Sequence, residues 1–213
     1  MYKRQVFICS LLGLGAFCLQ AAPLNQGLTS PIPVPLKGIE IQPAFSLEKT
    51  RQQKLQRQKE LLKKLKTEPD AQKAEKIAGE LKRLWEDSGS DTVNYLLLYV
   101  QQALKVKNYR EALDYLDDIV AIKPDYAQGW LLHASVHVQL NDLKIALKDV
   151  QHAVQAEPKD FSAYILLGGI LEILHKKKAA LQAYWQAVDI FPQLIAAQKR
   201  LLVLLEETGP EIV

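Results

Sequence analysis

The sequence predicts an all-α fold built from helix hairpins that stack one on the next as a solenoid. The first observation is a set of three prolines that recur at one constant interval: Pro124, Pro158 and Pro192. The second is a set of alanines that precede each proline by twelve positions: Ala112, Ala146 and Ala180. The third is a larger apolar residue four positions after each alanine: Leu116, Val150 and Tyr184. A constant period of this length is typical of helix-hairpin repeats.

Three consecutive units follow from this period, at 93–126, 127–160 and 161–194. The third unit carries the fullest set of shared positions: Tyr164, Leu167, Gly168, Leu171, Ala180, Tyr184, Ala187 and Pro192. This set resembles the tetratricopeptide repeat (TPR), whose pattern is W-x2-L-G-x2-Y, then A-x3-F, then P. The second unit departs from it with His133 and His137 where Leu and Tyr are usual. The resemblance covers about half of the chain, and it implies a right-handed TPR solenoid whose first helices line a concave side.

The repeated residue types have a physical cause. A small residue at the eighth and twentieth positions of a unit lets its two helices approach closely, and large residues at the fourth and twenty-fourth positions fill the layer between units. Each proline lacks an amide hydrogen and disfavours helical geometry in the residue before it, so the second helix ends there. Asn108 and Asn141 fall at the turns inside the first two units, where Asn tolerates the bends required.

The N-terminal segment 1–22 has the pattern of a secretory signal peptide. Lys3 and Arg4 precede an apolar stretch from Val6 to Leu19, and small residues follow at Ala21 and Ala22. This stretch is shorter than the roughly 20 residues that span a bilayer, so cleavage near Ala21 or Ala22 is the first interpretation and an uncleaved anchor the second. Both cysteines lie inside the segment, so a cleaved chain has no thiol for disulfides, metal binding or catalysis.

The segments around the repeats are assigned by composition and periodicity. Residues 23–46 are proline-rich and predict an extended linker. Residues 47–92 predict a basic helical hairpin, interpreted as a degenerate repeat or cap that covers the apolar face of the first unit. Residues 195–213 predict a C-terminal capping helix and tail, because Gly209 and Pro210 stop the helix. About nine helices are expected after the linker.

Charge is distributed unevenly along the chain. From Leu47 to Lys66 eight residues are basic and two acidic, whereas from Thr67 onward 16 are basic and 21 acidic. The basic stretch has no aromatic residue for base stacking, and export argues further against nucleic acid as a partner. It is interpreted first as a solvated helix face that pairs with acidic repeat residues such as Asp114, Asp117 and Asp118. The other hypothesis is contact with an acidic partner or an anionic membrane surface through Lys54, Arg57 and Lys59.

The TPR resemblance implies a peptide or partner groove on the first helices. The candidate residues are Asn94, Leu97, Gln101, Gln128, Leu131, Ser135, Ser162 and Ile165. None is charged, so the groove lacks the set of Lys, Arg and Asn with which relatives grip a peptide carboxylate. Aliphatic, amide and hydroxyl side chains suit an amphipathic helix or an extended apolar peptide. The alternative is that the chain's own leading helix covers the groove.

No catalytic residue, cofactor or metal site is predicted. The sequence has no nucleophile elbow, no glycine-rich phosphate loop and no zinc-protease helix. His133 and His137 are four positions apart, a spacing that can hold a metal, but both fall on inward positions of the repeat. They are interpreted as core histidines whose nitrogens are satisfied by hydrogen bonds.

The order of signal, spacer, basic hairpin and repeats is similar to that of exported TPR proteins of Gram-negative bacteria. That resemblance implies a periplasmic, non-enzymatic scaffold or adaptor that binds a peptide or helix of another envelope protein and supports envelope assembly or integrity. The alternative is a membrane-surface or enzyme-regulating component that acts through the basic helix 47–66. The fold alone does not choose between them.

Overall fold

A computed structural model describes the backbone of residues 44–209 and the side chains of residues 48–209. Over that range the chain forms nine helices and no strand: α1 (Ala44–Thr67), α2 (Ala71–Glu86), α3 (Asp91–Lys105), α4 (Tyr109–Ile122), α5 (Ala127–Gln139), α6 (Leu143–Ala156), α7 (Phe161–Ile173), α8 (Lys177–Ile190) and α9 (Ile195–Thr208). This confirms the all-helical prediction. None of these helices combines the length and the apolar character needed to cross a membrane. The predicted signal at 1–22 and most of the predicted linker at 23–46 lie outside the described residues.

Consecutive helices pair as three hairpins, α3 with α4, α5 with α6 and α7 with α8. Each hairpin packs on the next through α4 against α5 and α6 against α7, and α9 packs on α8. The first helices α5 and α7 also contact each other. The hairpins coincide with the units at 93–126, 127–160 and 161–194, so the period marked by the prolines describes the repeat fold.

The turns inside and between the units follow the repeat period. The second helix of each unit ends two positions before its proline: α4 at Ile122, α6 at Ala156 and α8 at Ile190. The turn inside each unit has one residue with positive φ: Lys107 at 58°, Asn141 at 62° and His175 at 57°. Asn108 has a different role from Asn141, because its φ is −81° and its side chain accepts a hydrogen bond from the Glu111 N–H at 3.4 Å. Both asparagines lie in turns, but Asn108 caps a helix and Asn141 makes the left-handed bend.

Close packing within a hairpin depends on a small residue at the eighth position of the unit. In the third unit a Cβ atom at Gly168 would lie 2.7 Å from the ring of Tyr184. The smallest residue at this position therefore faces the largest residue at the twenty-fourth. In the first unit Val100 and Leu116 occupy the same two positions and are fully buried.

In the second and third units and in α9, the side chain at the fourth position donates a hydrogen bond to the carbonyl oxygen of the preceding proline. The bonds are Trp130 Nε1 to Pro124 at 2.9 Å, Tyr164 Oη to Pro158 at 3.2 Å and Gln198 Nε2 to Pro192 at 2.6 Å. Gln198 belongs to α9, so this helix continues the register as the first helix of a fourth unit. It lies against α8, where a terminal helix is expected.

The N-terminal hairpin, α1 with α2, does not stack on the first unit, contrary to the cap interpretation. Its main contacts with the repeats join α1 to α8 and α2 to α5. Its buried side chains, among them Leu65, Leu81 and Trp85, belong to one apolar cluster with Phe161 and Phe191. The apolar cluster of the first unit contains no residue of this hairpin.

Aromatic packing explains why the hairpin lies over the later units. The Trp85 ring meets that of Phe161 edge-on with the ring centroids 5.6 Å apart, and Phe161 meets Phe191 at 5.2 Å. Burial of one large apolar side chain contributes about 1.5–3 kcal/mol. The link between α2 and α3 contains Gly89 at a φ of 68°, a conformation that glycine adopts without strain. The chain can therefore turn sharply between α2 and α3, and residues 48–86 do not join the apolar cluster of the first unit.

Candidate protein-binding surface

The predicted groove residues separate into an accessible set and an engaged set. Asn94, Gln101 and Ser135 are exposed, and Leu97 is half-buried beside them. We call these four residues, on α3 and α5, the open surface. The engaged set is half-buried or buried and makes contacts within the chain: Gln128, Leu131, Ser162 and Ile165. The groove assignment stays a prediction, and the open surface is the part of it that a partner can reach.

The polar residues of the engaged set surround a buried carboxyl group. Gln128 Nε2 donates to Asp160 Oδ2 at 2.7 Å, and the Ser162 backbone N–H donates to Asp160 Oδ1 at 2.8 Å. Asp160 caps α7 and is fully buried. Burial raises its pKa to about 6, although the hydrogen bonds from Ser162 and Gln128 act in the opposite direction. The groove prediction missed Asp160, whose place just before a helix start is the signal of an N-cap.

The apolar residues of the engaged set are covered by the protein itself. Leu131 is only 7% exposed and packs with Ile170. Ile165 packs against the cluster that contains Leu81 and Trp85 of the N-terminal hairpin. The self-cover alternative therefore applies near the third unit. The cluster around Leu97 has no hairpin residue among the described side chains, so residues 48–86 do not cover the open surface.

The basic side chains of α1 pair with acidic residues of the hairpin and of α8. The ion pairs are Lys54 with Asp87 at 3.2 Å, Arg57 with Glu80 at 2.8 Å and Lys66 with Asp189 at 2.9 Å. The hydrogen bond from Lys66 lowers the pKa of Asp189. Asp189 belongs to a repeat helix, so the predicted pairing with acidic repeat residues holds for Lys66. The three residues named as examples, Asp114, Asp117 and Asp118, are not the partners. Of the three predicted surface contacts, Lys59 alone has no ion pair within residues 48–209.

The two histidines of α5 are both buried, as their inward positions predicted. His133 lies between two carboxylates, with Nδ1 2.9 Å from Asp149 Oδ2 and Nε2 3.2 Å from Asp117 Oδ1. Burial lowers the pKa of His133, but the hydrogen bond to Asp149 and the two negative charges outweigh it and raise the pKa. His137 Nδ1 is buried without a hydrogen bond in the described chain, and Asp142 Oδ2 is 3.6 Å away. The prediction of satisfied nitrogens is therefore wrong for Nδ1 of His137.

Comparison with known proteins identifies the family. The chain is 34% identical over 152 residues to a TPR repeat-containing protein of Rhizobium etli, a match that covers 71% of this chain and 74% of that protein. The chain belongs to the TPR repeat-containing proteins. No family model matches it. The small glutamine-rich tetratricopeptide repeat-containing protein 2 of Saccharomyces cerevisiae is 28% identical over 89 residues, which is 42% of this chain and 26% of the yeast protein.

Solved structures share the TPR fold at lower identity. The first TPR of Spaghetti (RPAP3), bound to an HSP90 peptide, matches 57% of this chain and 95% of its own at a TM-score of 0.53 and 21% identity. The TPR2B domain of yeast Sti1 in complex with pHsp70 matches 55% of this chain and 99% of its own, at a TM-score of 0.52 and 14% identity. The crystal structure of MamA matches 62% of this chain and 77% of its own, at a TM-score of 0.52 and 19% identity. At these identities the likeness establishes the fold alone.

The TPR protein also exposes an apolar face on its first unit that the sequence reasoning did not single out. On α3, Tyr95 is 59% exposed and Leu98 is 60% exposed. In the second unit the position that corresponds to Tyr95 is Gly129, which lies against Ile119 and Tyr126 of the unit before it. Within the described part of the chain the first unit has no such neighbour, because the N-terminal hairpin packs elsewhere. The apolar residues were visible in the sequence, but the cap interpretation assigned them a cover.

A cleft of about 490 Å³ lies between the N-terminal hairpin and the turns that join the TPR units. Its lining includes Lys54, Leu55, Trp85, Tyr126 and Glu157. Tyr126 Oη donates to the Glu86 carbonyl at 2.7 Å and fixes one wall. Trp85 Nε1 is buried and has no hydrogen-bond partner among residues 48–209. The cleft results from the position of the hairpin, so the repeat pattern alone does not predict it.

Proposed function

We propose that this TPR protein is an exported, non-enzymatic adaptor whose open surface binds a helix or apolar peptide of another envelope protein, and so supports envelope assembly or integrity. The observation that carries the proposal is the accessible and uncharged set Asn94, Leu97, Gln101 and Ser135 on the first helices of consecutive units. Solved TPR neighbours support a peptide ligand, since one is bound to an HSP90 peptide and another is a complex with pHsp70.

The chemistry of the open surface favours an internal segment of a partner over a terminal carboxylate. Leu97 offers aliphatic contact, and the Gln101 amide can donate to and accept from a peptide backbone. Ser135 Oγ donates to the Leu131 carbonyl at 2.7 Å, which leaves the hydroxyl oxygen as an acceptor. None of these side chains carries the positive charge that would bind a carboxylate strongly. We therefore infer a ligand that places an apolar side chain against Leu97.

The exported location is a proposal from segment 1–22, where Lys3 and Arg4 precede the apolar stretch Val6 to Leu19. We expect the mature protein to begin after Ala21 or Ala22 and to be found in the periplasm of a Gram-negative host. Mass spectrometry of the protein from periplasmic and cytoplasmic fractions tests this. A full-length mass found in the cytoplasmic fraction alone would contradict export.

The alternative, a component that acts through the basic helix 47–66, has less support. Lys54 and Arg57 are already paired with Asp87 and Glu80, so reversing them would disturb the hairpin as well as a surface. Lys59→Glu leaves both pairs intact and is the cleaner test. Loss of binding to vesicles that contain phosphatidylglycerol in this variant would favour the alternative, and unchanged or absent binding would count against it.

Site-specific photo-crosslinking in intact cells tests the adaptor proposal. A photoreactive amino acid at Gln101 is expected to capture one envelope protein by a helix or apolar segment, identified by mass spectrometry of the cross-linked peptide. The matched control places the same residue at Gln151, an exposed position on the second helix α6. Capture of the same protein from both positions, or from neither, would overturn the assignment of the open surface.

Affinity for the captured protein then provides a quantitative test. The double variant Gln101→Glu and Ser135→Glu places two charges on the open surface, and burial of an unpaired charge against an apolar ligand is unfavourable. We expect the dissociation constant to rise by at least about tenfold, which corresponds to about 1.4 kcal/mol. The control variant Gln151→Glu and Gln186→Glu adds the same charge on exposed second-helix positions. Equal affinities for the two variants would contradict the proposal.

A further inference from the structure

Three potential metal ligands converge beside the junction between the first and second units. His133 and His137 come from α5 and Asp149 comes from α6, and one ligand atom from each lies within 4.8 Å of the others. All three residues are buried, with exposed fractions of 7%, 7% and 4%. Such a cluster differs from the exposed acidic groups that are common on protein surfaces, because all three side chains are buried and one of their nitrogens, His137 Nδ1, has no hydrogen bond among the described residues, which is unfavourable for a buried polar group.

The repeat fold does not need this cluster. In the third unit the three corresponding positions are apolar: Leu167, Leu171 and Ala183. Leu171 and Ala183 are buried there, and Leu167 is half-buried against the core. The second unit therefore carries two imidazoles and a carboxylate where hydrophobic packing alone would serve the fold. This indicates that the polar side chains have a role besides packing.

The surrounding hydrogen bonds suit a bound cation. His137 Nδ1 is buried and has no hydrogen bond within the described chain, with Asp142 Oδ2 3.6 Å away, so the His137 side chain is not held by a hydrogen bond at this nitrogen. His133 Nε2 lies 3.2 Å from Asp117 Oδ1, and a carboxylate that accepts the second N–H of a ligating imidazole fixes the orientation of the ring. His133 Nδ1 and Asp149 Oδ2 are 2.9 Å apart. Tetrahedral zinc with bonds of about 2.0–2.1 Å holds its ligand atoms about 3.3 Å apart, so this pair needs to open only slightly.

We propose that His133, His137 and Asp149 bind a divalent transition-metal cation, with Zn²⁺ as the best match. Two imidazole nitrogens and one carboxylate oxygen are ligands that zinc accepts, whereas Mg²⁺ and Ca²⁺ favour sites made of oxygen alone. Three protein ligands leave one tetrahedral position for water. The cation joins α5 to α6 and, through Asp117, to α4 of the first unit. It therefore stabilises the junction between the first two units, a role independent of peptide binding.

Calorimetric titration of ZnCl₂ into the purified, tag-free protein tests the proposal. We expect one cation per chain and a dissociation constant at or below the micromolar range, together with a rise in the melting temperature that EDTA reverses. Binding of Co²⁺ provides a second reading, since its visible absorption reports a tetrahedral site directly. The absence of a stoichiometric heat with ZnCl₂ would overturn the proposal.

Variants distinguish this site from adventitious binding at surface histidines. His137→Leu removes a ligand and places at this buried position the residue that the third unit has there, Leu171, so we expect at least tenfold weaker binding of Zn²⁺. Asp117→Asn alters only the carboxylate behind His133, and we expect about a tenfold loss. The control His152→Ala and His175→Ala changes two exposed histidines and is expected to leave the affinity unchanged. Binding that survives His137→Leu but is lost in the control would contradict the assignment.

Discussion

The junction between the first and second units and the junction between the second and third place different chemistry on the same repeat positions. At the former, His133 is held between Asp149 of its own unit and Asp117 of the unit before it. At the latter, the residue at the position of His133 is Leu167, and it packs among apolar side chains. The helices nevertheless pair in the same order at both junctions.

This difference shows that the repeat fold requires side chains of suitable volume at these positions, and that they can be either polar or apolar. The two junctions are not equivalent in energy, however. Desolvation offsets most of the attraction within a buried ion pair, whereas apolar burial contributes about 25 cal/mol per Å² removed from water. We therefore expect the apolar junction to contribute more to the free energy of unfolding, and the polar junction to contribute specificity or a ligand site.

The largest effect on the free energy of unfolding is expected for Phe161→Ala, in the apolar cluster that joins the N-terminal hairpin to the third unit. Phe161 is fully buried between Trp85 and Phe191, so removal of its ring leaves a cavity and loosens the N-terminal hairpin. The free energy of unfolding is expected to fall by about 3–5 kcal/mol, measured by urea denaturation. Trp185→Ala is the control, because Trp185 is 53% exposed. If Phe161→Ala lowers the free energy of unfolding no more than Trp185→Ala does, apolar packing at the third unit is not the larger source of stability.

The junction between the second and third units, although mainly apolar, also holds one buried carboxyl group, Asp160, and its pH dependence is expected to come from this group. Its pKa is raised from the ordinary 3.8 to about 6, so the folded state holds the proton more tightly than the unfolded state. The stabilisation from this group is complete below the unfolded pKa and is lost as pH rises through about 6, a change of up to about 3 kcal/mol. Asp160→Asn does not titrate. The unfolding free energy of the wild type minus that of the variant should therefore fall as pH rises from about 4 to 7.

Urea denaturation at several pH values measures this difference. The control is Asp118→Asn, since Asp118 is exposed on α4, and its difference from the wild type should stay nearly constant across the same range. A difference for Asp160→Asn that does not vary with pH, or that rises with pH, would show that the buried carboxyl does not hold a proton in the folded state.

The contribution of the polar junction to stability is tested by comparing the single variant Asp149→Ala with a triple variant. Asp149→Ala removes the partner of His133 Nδ1 and leaves that nitrogen buried, so we expect a loss of about 1–3 kcal/mol in a chelator-treated buffer. The triple variant His133→Leu, His137→Leu and Asp149→Ala copies the third unit and removes the buried polar groups together. We expect it to be at least as stable as the wild type. A triple variant less stable than Asp149→Ala would show that the ion pairs contribute net stability.

The repeats could be predicted from the sequence because their determinants are local and periodic. Each proline ends a helix by its own covalent structure, and Gly168 faces Tyr184 within one hairpin. The position of the N-terminal hairpin could not be predicted in this way. It depends on the contact of Trp85 with Phe161, two residues far apart in the chain that no fixed interval relates.

The groove shows the same limit at the level of single residues. The repeat positions identified both Gln128 and Gln101 as candidates, but Gln128 is bonded to Asp160 whereas Gln101 is exposed. Likewise, the spacing of His133 and His137 predicted their burial but not that His133 would lie between two carboxylates while His137 Nδ1 has no hydrogen bond among the described residues. Repeat position predicts which face of a helix a residue occupies, and neighbouring chain segments decide whether that residue is free to bind.

The smallest effects are expected at two adjacent glycines of the third unit, with opposite signs. A Cβ at Gly168 would lie 2.7 Å from the Tyr184 ring, whereas a Cβ at Gly169 would lie 3.9 Å from Tyr184 Oη. The ring cannot easily move, because its hydroxyl donates to Glu172 at 2.7 Å. Gly168→Ala is therefore expected to lose about 1–2 kcal/mol of unfolding free energy, and Gly169→Ala to gain up to about 1 kcal/mol from helix propensity.

The second unit offers a way to separate the clash from any general intolerance of alanine at Gly168. There the same two positions are Ala134 and Val150, so Gly168→Ala should cost less in a Tyr184→Val background than in the wild type, although Tyr184→Val is itself destabilising. A double-mutant cycle by urea denaturation measures this coupling. If the two substitutions are additive, the ring of Tyr184 is not what requires glycine at position 168, and the second and third units differ for a reason other than the fit between these paired positions.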